Sequence, residues 1–383
     1  MGGGRNLPHP LRQPIIGAAH RWNENPPVHA EEMAGASGME RLVDVSVLSG
    51  PDPACDQFVR LMPEGRICFL PGWNFMVQKL FGHTSFYLVA RESGNVRGVL
   101  PLTYVRSRLF GNRMVSQAFV DYGGVLADSV QACDGLFHRA VDLATECGCQ
   151  NIEFRNIHPL PYDLVLRGDK VSMHLPLGGD PEKLWKGFDA KVRNQVRKAE
   201  KSGIEPVIGG VELLDGFYRV YTTRMHQLGT PSYSRNLMKG ILEAFPAESN
   251  IVAVRLKGLT IGAGMVTFSS NHAEMLYAAT LIEYNQLCPN NLLYWSAIKH
   301  YCQKGVRYFD FGRSTIDSGT HRFKQQWGPE QVDLHYQYWV RPGHELSQAR
   351  PDSPRYRRKV EMWKKLPLCV TRFLGPYISK GLP

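Results

Sequence analysis

Apolar and polar positions fall into the same order twice along the chain. In residues 86–105 (FYLVARESGNVRGVLPLTYV) two runs rich in Val, Leu and Tyr flank a short polar turn. Residues 250–269 (NIVAVRLKGLTIGAGMVTFS) repeat that arrangement, and a shift of 164 places Arg91 on Arg255, Gly94 on Gly258 and Gly98 on Gly262. Each run predicts a β-hairpin whose turn glycine takes positive φ without a Cβ clash. Residues 136–155 (LFHRAVDLATECGCQNIEFR) and 293–312 (LYWSAIKHYCQKGVRYFDFG) match at a shift of 157. Each has apolar residues at helical spacing, a glycine suited to a left-handed cap, and a short apolar strand. Two hairpins and two helix–glycine–strand units predict a duplicated mixed α/β fold.

The boundary between the copies is expected near residues 175–182, where LPLGGDPE is rich in turn formers and Asp180-Pro181 reads as N-cap and first helical residue. One strongly basic helix is predicted over 184–202, ending at Gly203 before a strand over 204–208. The predicted organisation is a flexible N-terminal arm over 1–40, a first domain over 41–177 completed by 343–383, and a second domain over 178–342. In the last segment Pro342, Pro351 and Pro354 precede a basic, partly amphipathic stretch over 355–366 that Pro367 stops, expected to pack on the first domain.

Composition agrees with two globular cores: 383 residues, 43% hydrophobic and 21% charged. The net charge of +10 favours a polyanion, an anionic membrane surface or a phosphate-bearing substrate. Eight scattered cysteines without C-x-x-C argue against a disulfide framework or zinc ribbon, and 13 dispersed histidines against a metal, so no metal or cofactor is expected. No secretory signal and no apolar window of transmembrane length is read, which predicts a cytoplasmic protein, with peripheral membrane contact through the basic tail near Trp363 and Phe373 as an alternative.

Four stretches carry candidate chemistry. Residues 308–328 (YFDFGRSTIDSGTHRFKQQWG) lead from a strand into a polar loop and then present Phe323, Lys324 and Trp327; Asp310 and Arg313 are candidates to order that loop. Residues 190–202 set Lys191, Arg193, Arg197, Lys198 and Lys201 on adjoining helix faces, suited to phosphate or simply to solvent. Residues 118–128 (AFVDYGGVLAD) run through Tyr122, Gly123 and Gly124 with carboxylates at Asp121 and Asp128, where a carboxylate orients or deprotonates an amine. Residues 225–233 (MHQLGTPSY) end a helix at Gly-Thr-Pro, with Arg224 and His226 as candidates. Phosphate-loop, dinucleotide, nucleophile-elbow and zincin motifs are absent. Arg255–Thr260 (RLKGLT) partly mimics a coenzyme A pyrophosphate loop but reads better as the hairpin turn.

RNQVRKAEKSG at 193–203, HQLGTPSYS at 226–234, PNNLLYW at 289–295 and FDFGRSTIDSGTHRFKQQWG at 309–328 resemble the FemAB family of aminoacyltransferases, most closely its branch associated with PEP-CTERM/exosortase systems. The resemblance implies two tandem GNAT-like domains, here without the coiled coil inserted in some members. It implies transfer of an aminoacyl group from aminoacyl-tRNA to an amine acceptor of the cell envelope or an exopolysaccharide pathway. In that comparison Lys324 falls on the family lysine that stabilises charge on the reacting ester, and Asp128 on an acidic position after a Gly-Pro segment that here reads Gly-Gly. Arg193, Arg197 and Lys198 would hold phosphate, and Arg224, His226, Tyr122, Gly123, Asp310, Arg313, Phe323 and Trp327 would complete the site. The donor is a co-substrate, aminoacyl-tRNA or acyl-CoA. A non-catalytic tandem GNAT binder of RNA or an anionic polymer is a third reading.

Overall fold

A computed structural model describes residues 43–107, 111–346 and 354–382. The arm expected over 1–40 lies outside the described residues. The first half supplies strands β1 (Val43–Val47), β2 (Thr84–Glu92), β3 (Asn95–Ser107), β4 (Gly111–Val115), β5 (Leu126–Ala127), β6 (Asn151–Asn156) and β7 (Val165–Arg167). Its helices are α1 (Pro53–Leu61), α2 (Pro71–Phe81) and α3 (Val130–Glu146). Next come β8 (Lys170–Pro176), α4 (Pro181–Gly187), α5 (Ala190–Lys201), β9 (Ile204–Gly209), α6 (Leu214–Leu228) and α7 (Arg235–Ala244). They are followed by β10 (Ser249–Leu256), β11 (Leu259–Phe268), β12 (His272–Thr280), α8 (Pro289–Gln303), β13 (Tyr308–Asp310), β14 (Ser314–Thr315), α9 (Gly319–Gln325) and β15 (Glu330–Asp333). Then come β16 (His335–Val340), α10 (Pro354–Lys365) and α11 (Leu368–Ser379).

The duplication is visible strand by strand. One sheet runs β1-β2-β3-β4-β6-β16-β7, the other β14-β8-β13-β12-β11-β10-β9, with β5 on β3 and β15 on β8. Each is antiparallel except for one parallel pair, β4 with β6 and β12 with β13. Both predicted hairpins form, and their pairing slips by one residue at equivalent places, after Ala90 and after Val254. Their turns are also equivalent: Ser93 and Gly94 have φ of 50° and 82°, Lys257 and Gly258 of 50° and 79°. Two successive positive φ values make the primed turn that suits strand twist. Arg255–Thr260 is therefore a hairpin turn, as its sequence suggested.

Two strands cross the limits expected at 177 and 342. β8 lies in the second sheet, pairing with β13, and β16 lies in the first, pairing with β6 and β7. The exchange covers edges of β6 and β13 that would otherwise present unpaired backbone groups. Periodicity identifies a strand but not its neighbour, so this was not readable from the pattern. The basic helix predicted over 184–202 is also two helices. Phe188 turns inward between them, and Asp189 restarts the helix by accepting from the Lys191 backbone N–H at 2.7 Å.

Alternating strand residues feed different cores. Leu88, Leu100 and Leu102 pack under α3 with Leu136 and Phe137; Val252, Val254 and Ile261 pack under α5 and α8. Opposite faces of both sheets, including Val89, Val99, Ile251 and Ala263, share one core with α1, α2, α6 and α7. There Trp73 of α2 stacks on Phe245 just after α7, at 6.0 Å. The segment expected to complete the first domain instead packs mainly on α6: Arg372 Nε donates to Thr222 Oγ1 at 2.9 Å and Thr371 Oγ1 meets His226 Nδ1 at 3.2 Å. Its end reaches the first half, where His83 Nε2 contacts the Lys380 carbonyl at 2.9 Å and Arg113 Nη2 donates to the Gly381 carbonyl at 3.2 Å. Leu346 at its start packs against the cluster of Tyr122 and Tyr336.

Candidate active site between the two sheets

Strands β12 and β13 run together only as far as the pair Glu274–Asp310. β12 then continues to Thr280 while the chain leaves β13 at Asp310, so the strands part. Met275 faces Val266 and Tyr277 faces Met265, which makes Leu276 the extra residue of a bulge. Such a bulge re-aims side chains, here towards the opening. The gap leads into a cleft of about 340 Å³. Phe119, Val120, Asp121 and Arg155 line it from the first half; Tyr221, Met225, Tyr233, Leu276, Tyr277 and Arg313 line it from the second. Thr230, Pro231, Ser379 and Leu382 close one side.

The first wall is a segment held in an unusual path. Gln117 and Phe119 have φ of 60° and 67° although neither is glycine. Conformations of this kind persist where surrounding contacts enforce them. Gln117 Nε2 donates to the Cys68 carbonyl at 2.6 Å, Tyr277 Oη to the Phe119 carbonyl at 2.8 Å, Arg155 Nη1 to the Val120 carbonyl at 2.5 Å, and Tyr336 Oη to the Asp121 carbonyl at 2.7 Å. Gly123 has φ of 141°, and a Cβ there would lie 2.2 Å from Gln117 Cβ. Glycine is thus required at this position.

This path brings Asp121 to the loop after β13. Its Oδ2 accepts from the Arg313 backbone N–H at 3.0 Å, and its Oδ1 is 3.2 Å from Arg313 Nε. The Asp121 carboxylate raises the pKa of the Arg313 guanidinium still further. The Arg313 side chain is 39% exposed and that of Asp121 22%, so both are open to a ligand. Behind them Lys324, only 6% exposed, donates from Nζ to the Gly312 and Arg313 carbonyls at 2.6 and 3.0 Å. Burial lowers the pKa of this lysine to about 8, against the pull of Asp121 and Asp310.

Asp310 is the fully buried anchor of the interface. It accepts from Tyr122 Oη at 2.6 Å, Ser172 Oγ at 2.5 Å, Arg66 Nη2 at 3.1 Å and the Gly312 N–H at 2.8 Å, with His174 Nε2 at 3.1 Å. Burial pushes its carboxyl up, but His174, Arg66 and Ser172 together hold it well below the usual range. Glu274 beside it moves the other way: burial and the Asp310 charge raise its pKa well above normal. Arg66 Nε lies 3.7 Å from the Glu274 carboxylate, so one arginine of the first half spans both acids of the second.

Of the residues singled out by sequence, Lys324, Asp310, Arg313, Tyr122 and Gly123 come together here. Asp128 does not line the cleft; it pairs with Arg97 at 3.0 Å beside the β2–β3 turn. Arg193, Arg197 and Lys198 lie on α5, which packs on α8 across the second sheet from α6. Arg197 sits 5.7 Å over the Trp185 ring. His226 faces α11, and Arg224, on the same last turn of α6, does not line the cleft. Phe323 and Trp327 are packing residues, in edge contact with Tyr294 and Phe188. The contributions of Arg66, His174, Glu274, Tyr277 and Tyr336 were missed, since an isolated polar or aromatic residue in a strand or loop carries no motif; Tyr233 falls inside the 225–233 stretch but was not itself singled out. Among the described residues no group of His, Cys, Asp and Glu is arranged to hold a metal ion.

Residues 186–325 match a family model described as an acetyltransferase (GNAT) domain. The crystal structure of FemX superposes with a TM-score of 0.60 and 16% identity, over 76% of this chain and 97% of FemX. The chain has the tandem GNAT fold. A second GNAT-type comparison is the C-terminal domain (DUF2156) of a protein assigned as a lysylphosphatidylglycerol synthetase from Agrobacterium fabrum, with a TM-score of 0.53, 12% identity, and 76% of this chain and 91% of that one covered. No curated protein sequence matches the chain. The matched GNAT segment starts within α4 and ends with α9, so it spans the second unit without β8 and β15. The cleft thus lies where the second GNAT unit meets the first.

Proposed function

We propose that the protein is an N-acyltransferase that moves an aminoacyl group from the ester of aminoacyl-tRNA to an amine of a cell-envelope or polysaccharide precursor. The observation that carries this reading is the Asp121–Arg313 pair exposed in the inter-sheet cleft and backed by the buried Lys324. The amine nitrogen attacks the ester carbonyl, the C–N bond forms, the C–O bond to the ribose breaks, and the ribose oxygen leaves with a proton. Developing negative charge on the carbonyl oxygen is stabilised by cations held in fixed positions. Arg313 supplies the near cation and Lys324 the positive potential behind it. Asp121 accepts the proton that the attacking amine loses. The basic face of α5 lies outside the cleft and suits tRNA phosphates beyond the reacting end. A relative of the same fold is named for making lysylphosphatidylglycerol, which fits aminoacyl transfer as a use of this scaffold.

The test is single-turnover transfer from charged tRNAs, and separately from acyl-CoAs, into an envelope extract. Lys324→Ala is expected to lower tRNA-dependent transfer by about 100-fold or more, the scale of losing one charge-stabilising group. Asp121→Asn is expected to lower it by a similar factor with little change in KM. Transfer from acyl-CoA alone would establish the acyl-CoA-dependent enzyme instead. Full activity in Lys324→Ala would remove that residue from the mechanism.

A further inference from the structure

Helix α11 is amphipathic in the inverted sense. The face it turns to the protein is small and polar: Thr371, Gly375 and Ser379 recur every four residues and are all buried. Thr371 meets His226, and Ser379 Oγ donates to the Ser232 carbonyl at 3.0 Å. The face turned outward is large and apolar. Phe373 is 66% exposed and Tyr377 70%, their rings 5.5 Å apart, with Leu374 exposed beside them. A helix held only by intramolecular packing places such residues the other way round.

The charge around this face is one-sided. α10, which packs on α6 as α11 does, exposes Arg357, Arg358, Lys359, Lys364 and Lys365, and between residues 357 and 382 Glu361 is the single carboxylate side chain. Met362 on α10 is exposed as well. Aromatic residues combined with a basic cluster match an anionic bilayer, which offers acyl chains to the rings and headgroup charge to the lysines. A two-fold contact with a second copy would set these same cations against themselves. Among the described residues no helix is long and apolar enough to cross a membrane, so the contact is with a surface.

We propose that the outward face of α11, together with the basic α10, docks the protein on an anionic lipid surface. Ser379 and Leu382 line the cleft within two turns of Tyr377, so docking sets that edge of the cleft beside the headgroups. The inference does not depend on the acyl donor and stands or falls apart from the proposed reaction.

The experiment is vesicle co-sedimentation of the full chain with phosphatidylcholine alone and with mixed phosphatidylcholine and phosphatidylglycerol. The wild type is expected on the mixed vesicles and not on the neutral ones, with binding that weakens as salt rises. Phe373→Ser with Tyr377→Ser, and separately Lys364→Glu with Lys365→Glu, should each weaken binding by about tenfold or more while circular dichroism stays unchanged. Absence of wild-type binding to the anionic vesicles would overturn the proposal, as would binding indifferent to both double variants. A dimer in sedimentation velocity that Phe373→Ser with Tyr377→Ser dissociates would assign the face to a second copy and overturn it too.

Discussion

Asp310 is the residue on which most of the interface converges. Replacing it with Asn leaves Arg66 buried against fewer opposing charges, and breaking a buried pair in this way costs about 3–5 kcal/mol. Asp310→Asn should therefore lower the unfolding free energy by that much, read as a lower urea midpoint at an unchanged m-value. Gly123→Ala should also destabilise, by about 2 kcal/mol or more, because its Cβ overlaps Gln117 and its φ is positive. Lys324 gives a pH test with two signs. Its ammonium is lost as pH rises through about 8, so transfer that depends on this charge should fall above pH 8. Between that value and the ordinary 10.5 the unfolded chain binds more protons than the folded one, so the lysine's contribution to stability rises over the same window. A pH–rate profile beside a pH series of urea melts separates the two. Sequence brought Lys324, Asp310 and Arg313 together because all three fall in one strand-to-polar-loop stretch, residues 308–328. Both Asp121 and Asp128 stood out as carboxylates, and the family resemblance favoured Asp128; the turn that aims Asp121 inward rests on positive φ at Gln117 and Phe119, residue types that do not announce it.

At the level of elements, the hairpins and the helix–glycine–strand units were legible because each is built from local preferences: two-residue periodicity, turn glycines and left-handed caps. Helix α11 was not, since its apolar residues lie on the wrong face for a packed helix and Pro376 interrupts the run. The break between α4 and α5 depends on Asp189 acting as a cap inside a continuous polar pattern. Asp189→Ala should cost about 1 kcal/mol, read as a lowered melting temperature, because the Lys191 N–H loses its acceptor. The basic face of α5 has a separate prediction. Arg197→Glu with Lys198→Glu should reduce tRNA affinity and flatten its salt dependence, measured by filter binding, while leaving the cleft geometry untouched.

On the scale of the whole molecule, the two sheets are bound by a shared apolar core, by the Arg66–Asp310–Glu274 bridge and by the exchange of β8 and β16. Unfolding should accordingly be one cooperative transition rather than two, seen as coincident fluorescence and far-ultraviolet dichroism curves. The duplication was readable from sequence, but the exchange was not, because pairing partners far apart in the chain leave no mark on local pattern. The exchange also fixes an order of events during synthesis. β6 emerges from the ribosome early, yet its neighbour β16 follows only after residue 334, when nearly the whole second sheet has been made. N-terminal halves usually fold while the remainder is still being translated. Here the nascent first sheet must wait with an open edge, a template for strands of other chains. The time that the ribosome takes over the second half is thus the period in which this protein is most exposed to aggregation and most dependent on chaperones.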